Sequence, residues 1–571
     1  MHRLVWTMME REKYYLYGTN RVAKDFLYIF DTLDIVGVIP EAGCTEDVWL
    51  GIPVVTLSDA LSDRTAKIIV CGFAKAEKEQ ELISHGLVRG KDYFFEEDFF
   101  GQLDSFHVPT DRKIAVWGAG QVAGEFLPDC PVKVSLIINT NKAEEAFHGI
   151  PEVRPDEVAD WKEYFVIIAV FRQDEIREKL NSLGLKEDID YTDFQTINGQ
   201  PSAMLRKTIF NRTCCKLACE TMLNHLEIFH DGNTRCCCTT FVKQNLSSVM
   251  KCSEEDLWHS ALHKVLALSC VNHTYTFCDH SMCPLFVGTS DLTVSDTHVP
   301  GVPYDSITEH PETLALGHDF TCNLACITCR EGFCIAKGKE KERIHEVTEK
   351  IRQDYLKNCL FLILAGDGEV FLSEEYKSIY TDPACDPDYI RILSNGMLFN
   401  EKNWTALTAG KHAKIMMTVS IDAASPETYA KIRRGGNFEV LQKNMQYASE
   451  LKKSGALRYL RFNFVVQREN YQEMPAFVEW GERLDVDEIF FTKILNWGTY
   501  TDEEFQKISM MEEDGITPKK ELLDVLSSPV IQNSSIVDLG TIQYSHKDDK
   551  KGFVKNYYMW ELEKRGGKIF S

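Results

Sequence analysis

Three cysteines, Cys322, Cys326 and Cys329, stand at C-x3-C-x2-C spacing in the stretch His318 to Arg330, HDFTCNLACITCR. Soft thiolates converging from one short loop suit an iron–sulfur cluster. Three of them leave one iron of a 4Fe–4S cluster without a protein ligand, and an open metal position can take a small molecule, as in a catalytic zinc site. The same residues have two plainer readings. Zinc wants a fourth ligand in a matching short pair, and unreactive buried cysteines are common.

A second set of thiols lies upstream, in TCCKLACETMLNHLEIFHDGNTRCCCTTF and YTFCDHSMCPLF. Leu226 to Phe229 reads as a strand and Asp231-Gly232-Asn233 as a turn. Such a hairpin carries Cys219 on its approach and Cys236, Cys237 and Cys238 on its return, and Cys278 and Cys283 close a second loop. Four thiolates from two loops can fully ligate another cluster, with a four-thiolate zinc knuckle as the alternative.

The elements that must position this chemistry follow the three-cysteine loop. A polar helix is expected from Lys339 to Lys357, then a buried strand, Leu360 to Leu364, running into Ala365-Gly366-Asp367-Gly368-Glu369. Glycines let backbone approach a ligand closely, and an acid can accept hydrogen bonds from an ammonium group. Strands at Ile390 to Leu393 and Met416 to Val419 run into Ser394-Asn395-Gly396 and Ser420-Ile421-Asp422. Hydroxyls and carboxylates there suit a ligand at the carboxyl ends of parallel strands. Arg433 or Arg434 can pair with a carboxylate. In the strand Arg461 to Gln467, Asn463 and Gln467 face inward, and Ile489 to Ile494 is the last strand.

This order resembles the radical S-adenosylmethionine (SAM) superfamily, with Asp319, Asn323, Leu324 and Arg330 around the cysteines and Gly366 to Glu369 similar to the family's GGE turn. Thr328 stands where an aromatic residue is usual, Asp367 at the first glycine and Val370 at the proline. The resemblance implies a partial (β/α)6 TIM-type barrel in which Cys322, Cys326 and Cys329 hold a catalytic 4Fe–4S cluster. SAM would be bound by Gly366, Asp367, Gly368, Glu369, Ser394, Asn395, Ser420, Asp422, Arg433, Asn463 and Gln467. One electron, from a donor such as flavodoxin or ferredoxin, would cleave SAM to a 5'-deoxyadenosyl radical that abstracts hydrogen from a substrate. The run SPETYAKIRRGGNFEVLQKNM, Gly232-x4-Cys237 and Cys283-Pro284 resemble SPASM-linked members of the superfamily. That implies an auxiliary 4Fe–4S cluster on Cys219, Cys237, Cys278 and Cys283, with Cys238, Cys270 and Cys215 in reserve. Here this cysteine-rich domain precedes the core instead of following it.

The chain begins with a duplication. Tyr14 to Tyr17 then Gly18-Thr19-Asn20 is echoed by Ile114 to Trp117 then Gly118-Ala119-Gly120. Gly51-Ile52-Pro53 is echoed by Gly149-Ile150-Pro151, and Ile68 to Phe73 by Val166 to Phe171. Alternating strands and helices imply two parallel-sheet, Rossmann-like units. A full dinucleotide fingerprint is absent: Glu41 is the one ribose-binding acid on offer in the first unit, and the second has Asn139. Scaffolding, docking or dimerisation are the other roles for these units.

With 571 residues, several domains are expected. The expected division is Rossmann-like units at 1–105 and 106–200, a SPASM-like domain at 201–310, the radical core at 311–510 and a tail at 511–571. Net charge of −23 argues against broad nucleic-acid or membrane-surface binding. Nineteen cysteines without a signal-peptide pattern argue against a disulfide framework and for a reducing cytoplasm. The expected activity is radical SAM chemistry on a peptide or protein. A sugar, nucleotide-sugar or small metabolite is the second reading, and a non-catalytic iron–sulfur binding or assembly protein the third.

Overall fold

The computed structural model describes residues 12–542 except 42–43, 45, 105, 110, 131, 143–144, 171–172, 216–218, 239–240, 281, 284–285, 287–291, 295–303, 330–331, 365 and 497–499. Arg330, Ala365, Pro284, the Cys215 side chain and the basic, aromatic C-terminal end therefore lie outside the described residues. The chain forms two compact units, one taking in the chain to Arg212 with Lys264–Ser269, the other Thr213–His263 with the chain from Cys270.

In the first unit the duplication is visible in strand order. Strands β1 (Lys13–Tyr17), β2 (Asp34–Ile39), β3 (Val48–Trp49), β4 (Ile52–Pro53), β5 (Ala66–Val70) and β6 (Tyr93–Phe95) give a parallel sheet ordered β2-β1-β5-β6, with β3 and β4 as a small hairpin beside it. Strands β7 (Lys113–Trp117), β8 (Val134–Ile138), β9 (Ala146–Phe147), β10 (Ile150–Val153), β11 (Tyr164–Ile168) and β12 (Tyr191–Asp193) repeat it as β12-β11-β7-β8-β10-β9, the hairpin now joined to the sheet.

The glycine after each first strand has a steric cause. Gly18 and Gly118 have φ of +144° and +143°, and a Cβ would stand 2.7 Å from the Cys71 carbonyl oxygen and 2.4 Å from that of Ala169. Only glycine fits where the neighbouring strand end passes so close.

The crevice at the ends of β1 and β5 is filled by Lys78. Its ammonium donates to Glu41 Oε1 at 2.5 Å and to the Cys71 carbonyl at 2.8 Å. Asn20 Nδ2 donates to the same Glu41 oxygen at 2.8 Å. One Glu41 oxygen is thus engaged within the protein, the side chain remaining 37% exposed, and Asn139, its counterpart, donates to Glu152 Oε1 at 2.9 Å.

The second unit is built on one nine-stranded sheet. After β13 (Thr213–Cys215) come β14 (His225–Phe229) and β15 (Thr234–Arg235); β16 (Leu292–Val294) pairs with β13 apart from the main sheet. Then follow β17 (Thr313–Gly317), β18 (Phe361–Leu364), β19 (Tyr389–Ser394), β20 (Lys414–Ser420), β21 (Leu457–Val466), β22 (Glu488–Lys493) and β23 (Val537–Asp538). The order is β15-β14-β17-β18-β19-β20-β21-β22-β23, parallel throughout except for β15. The boundaries expected at 310 and 510 do not divide this sheet: β14 hydrogen-bonds alongside β17, and β23 alongside β22. Pairing between strands so distant in sequence leaves no local trace. The expected helix from Lys339 ends at Lys350 and continues as a π turn, Ile351–Tyr355. No helix among the described residues is long and apolar enough to cross a membrane.

Register separates the two faces. Ile228, Leu316, Leu364, Ile392, Met417 and Leu460 lie side by side across the sheet, an apolar row. The opposite row carries Glu227, Ala315, Ile363, Arg391, Met416 and Tyr459, and the same face also carries Thr418, Arg461 and Glu488. Phe462, Phe464 and Phe491, of the apolar parity, pack on Phe477 of the helix Met474–Arg483. The opposite face is mixed: Phe361, Tyr389, Met416 and Tyr459 cluster on it, and Arg391, Thr418, Arg461 and Glu488 are buried there.

Replacing Lys78 with methionine removes the ammonium from Glu41 and from the Cys71 and Tyr17 carbonyls. The first unit should lose roughly 2 kcal/mol, seen as an earlier urea transition; an unchanged midpoint would show the crevice to be held by other contacts.

Candidate active site

The three-cysteine loop leaves the end of β17, whose residues are all buried. Asp319 pins its start: Oδ1 accepts from the Thr321 amide at 2.9 Å and Oδ2 from Ser373 Oγ at 2.5 Å. The Cys322 amide donates to the Cys334 carbonyl at 2.8 Å, closing the loop. Its middle runs beside residues 432–434, with the Ala325 amide donating to the Arg434 carbonyl and the Ile327 amide to that of Ile432, both at 3.0 Å. Arg434 Nε returns a bond to the Ala325 carbonyl at 2.7 Å. Cys326 is buried and Cys329 exposed.

The Gly366 to Glu369 turn packs directly against this loop. A Cβ on Gly368 would stand 2.2 Å from the Asp319 carbonyl oxygen, so only glycine allows the contact, while Gly366 has open space around it. The Glu369 amide donates to the Thr321 carbonyl at 2.8 Å. The Glu369 side chain is engaged within the protein: Oε1 accepts from Ser394 Oγ and Oε2 from the Asn395 amide, each at 2.8 Å. Burial pushes its carboxyl up to about 6. Asn395 Nδ2 continues the chain of contacts to Asn323 Oδ1 at 2.9 Å and lies 3.8 Å from Cys322 Sγ.

Arg433 and Asp422 form a buried pair, NH2 to Oδ2 at 2.6 Å, and Arg433 NH1 lies 3.5 Å from Cys326 Sγ. Asp422 sits at φ +66° and accepts from the Val465 amide at 2.7 Å. Desolvation raises its carboxyl, with Arg433 opposing that rise. Ser420 and Asn463 are register partners across β20 and β21, and Asn463 Oδ1 accepts from Arg461 Nε at 2.8 Å. Gln467, just beyond β21, is fully buried, yet neither Nε2 nor Oε1 has a partner. An orphaned buried amide is costly unless a ligand completes it.

These elements border a cavity of about 740 Å³. Cys329, Gly366, Asp367 and Val465 line it, joined by Cys334, whose spacing from the other three carried no signal. Asn470 was also missed in the sequence: its Nδ2 holds the Asp422 and Val465 carbonyls, each at 2.9 Å. An asparagine after a strand carries no distinguishing signal. Glu473 was likewise unmarked; it accepts from the Ala424 and Ser425 amides at 2.6 and 3.1 Å and caps the helix Pro426–Ile432.

The second thiol set is gathered as well. The Cys237 thiol is raised first by burial and then by Cys219, Cys238, Cys278 and Cys283 around it. Cys270 is raised by burial and by Cys219, Cys278 and Cys236. The Asp279 amide donates to the Phe241 carbonyl at 2.8 Å, tying the two cysteine loops together. Among the described residues no three Cys, His, Asp or Glu side chains converge on a metal-ion position.

Fold and site thus define an α/β protein that presents a three-thiolate loop over the polar end of a parallel sheet. No family model matches the chain. It is 26% identical over 167 residues to probable GTP 3',8-cyclases of Methanococcus maripaludis strains C7 and C5, covering 28% of this chain and 52% of each relative. The chain therefore spans about half the length of the curated relatives it matches. Streptococcus suis SuiB bound to S-adenosylmethionine aligns at 18% identity and a TM-score of 0.28, over 41% of this chain and 51% of that one. Polyhistidine-tagged anSMEcpe with bound AdoMet aligns at 17% identity and 0.27, over 39% and 60%. Scores this low carry no argument. The three-cysteine loop and this sequence similarity together support the resemblance to the radical SAM superfamily, whose members use a 4Fe–4S cluster and SAM.

Glu369 yields a pH test. Its folded value of about 6 lies above the ordinary 4.5, so the folded chain keeps a proton that the unfolded chain has lost. The stability it contributes, about 2 kcal/mol, is full below the ordinary value and lost as pH rises through the folded one. Urea midpoints from pH 4 to 7 should fall more steeply for wild type than for Glu369→Gln; superimposable profiles would refute the raised value.

Proposed function

We propose that the chain is a radical SAM enzyme that abstracts hydrogen from a substrate held in the 740 Å³ cavity, in first place a peptide or protein segment. The observation that carries this reading is the meeting, in one cavity, of exposed Cys329 with the Gly366–Asp367 turn. Cys322, Cys326 and Cys329 would hold the cluster. SAM would lie along Gly366 to Gly368 and reach Ser420, Asn463 and the orphaned amide of Gln467. Supplied with one electron by a flavodoxin- or ferredoxin-type donor, these cofactors furnish the hydrogen-abstracting radical. Glu369, Ser394, Asn395, Asp422 and Arg433 act by positioning, since their polar groups hold the cysteine loop and the strand ends. The parallel sheet from β17 to β22 supports a partial barrel of the superfamily's type.

Cys219, Cys237, Cys278 and Cys283 would hold an auxiliary 4Fe–4S cluster in a SPASM-like element; their gathering supports this reading. The two Rossmann-like repeats serve as scaffold, docking or dimer units, because Lys78 occupies the nucleotide crevice of the first. Similarity to probable GTP 3',8-cyclases favours a second reading, in which the substrate is a nucleotide or other small metabolite.

Anaerobic reconstitution should give about eight irons per chain in wild type and about four in the Cys322/Cys326/Cys329→Ala variant, which also loses 5'-deoxyadenosine formation under dithionite. About four in wild type and none in the variant would remove the auxiliary cluster; none in either would end the reading. Gln467→Leu should keep its iron and bind SAM about tenfold more weakly, measured by equilibrium dialysis; unchanged affinity would separate Gln467 from the SAM site.

A further inference from the structure

The hairpin of β14 and β15 precedes the three-cysteine loop by many residues, and the reading above uses only the cysteines that flank it. Yet Phe229, His230, Asp231, Asn233 and Arg235 line the same cavity as Cys329. Arg235 stands opposite Glu227 in the antiparallel ladder, so its side chain emerges on the mixed face of the sheet.

Three observations single out this arginine. First, its guanidinium is fixed: Nε donates to Asn245 Oδ1 at 2.7 Å, and the group lies over the Phe229 ring at 5.2 Å. Those contacts use one nitrogen and one π face, leaving both terminal NH2 groups for the cavity. Second, among the described residues it makes no ion pair, although the chain carries 86 acidic residues against 63 basic ones. Third, Asp231, the acid of the hairpin that lines the cavity, is committed elsewhere. Asp231 Oδ1 accepts from the Asn233 amide at 3.0 Å and Oδ2 from Asn233 Nδ2 at 2.6 Å. A planar fork held from behind, with its N–H groups open to a cavity, matches a carboxylate or phosphate bidentately.

We propose that Arg235 anchors an oxyanion of the substrate, so that the substrate class is anionic and the pre-core hairpin sets specificity. The proposal rests on the radical SAM reading for its site. The anion is the carboxylate of an acidic peptide under the first substrate reading and a phosphate under the second.

The test uses the reconstituted full chain, its Arg235→Gln and Arg235→Lys variants, and three probes: acetylated, amidated triglutamate, the matching triglutamine, and inorganic pyrophosphate, followed by calorimetry. Wild type should bind an anionic probe at least about tenfold more tightly than Arg235→Gln does, with Arg235→Lys between them and triglutamine unbound. Preference for triglutamate would mark a peptide carboxylate, and preference for pyrophosphate a phosphate. Iron content and substrate-free 5'-deoxyadenosine formation should be equal in all three proteins. Anion binding unchanged in Arg235→Gln, or no stronger than triglutamine binding, would overturn the proposal. Failure of wild type to form 5'-deoxyadenosine would instead overturn the reading beneath it.

Discussion

The site depends on one buried carboxylate. Glu369 accepts hydrogen bonds from Ser394 and Asn395, while its amide reaches the Thr321 carbonyl of the cysteine loop. Three chain segments from three strand ends are thereby held at fixed spacing. Removing the carboxylate would leave buried donors without acceptors, which is expensive where water cannot enter. The contact of Gly368 with the Asp319 carbonyl depends on the same arrangement, because any side chain there would push the turn off the loop.

Below this layer the mixed face of the sheet buries further charge. Tyr459 donates to Glu488, Arg461 NH1 lies 3.7 Å from Glu488 Oε2, and the Arg461 guanidinium stacks 4.0 Å from the Phe490 ring centre. Asp538 on β23 is pushed up by burial and then by Glu488. Buried ionic groups seldom add net stability, and are kept where they fix geometry or serve a ligand. Here they lie under the strand ends that carry Ser420 and Asn463. The apolar face, carrying Phe462, Phe464 and Phe491, supplies the hydrophobic burial that holds helices to the sheet.

The repeats in the first unit show how a fold outlives its usual site. Gly18 and Gly118 remain because strand ends cross too closely for a side chain. The phosphate position in the first repeat holds an ammonium, and the acid beside it is paired with that ammonium. Topology is shared with nucleotide-binding sheets; the chemistry of the crevice is not.

Cysteine spacing, strand positions and the duplication were legible in the sequence, because each is a local pattern of residue type and period. β18, β19, β20 and β22 fall within a residue or two of where apolar runs put them, while β21 starts four residues earlier, at Leu457. Whether Glu369 and Glu41 face a ligand or the protein was not legible, since that depends on Ser394, Asn395 and Lys78, neighbours only in space. Nor was the reach of the sheet, which takes β14 from before the cysteine loop and β23 from the tail. Sequence by itself determined which residues could do chemistry and which segments would be strands. Tertiary structure alone decided which polar groups were paired internally, as in Glu369, and which, such as the Gln467 amide, were not, because hydrogen bonds are settled by pairing across the fold.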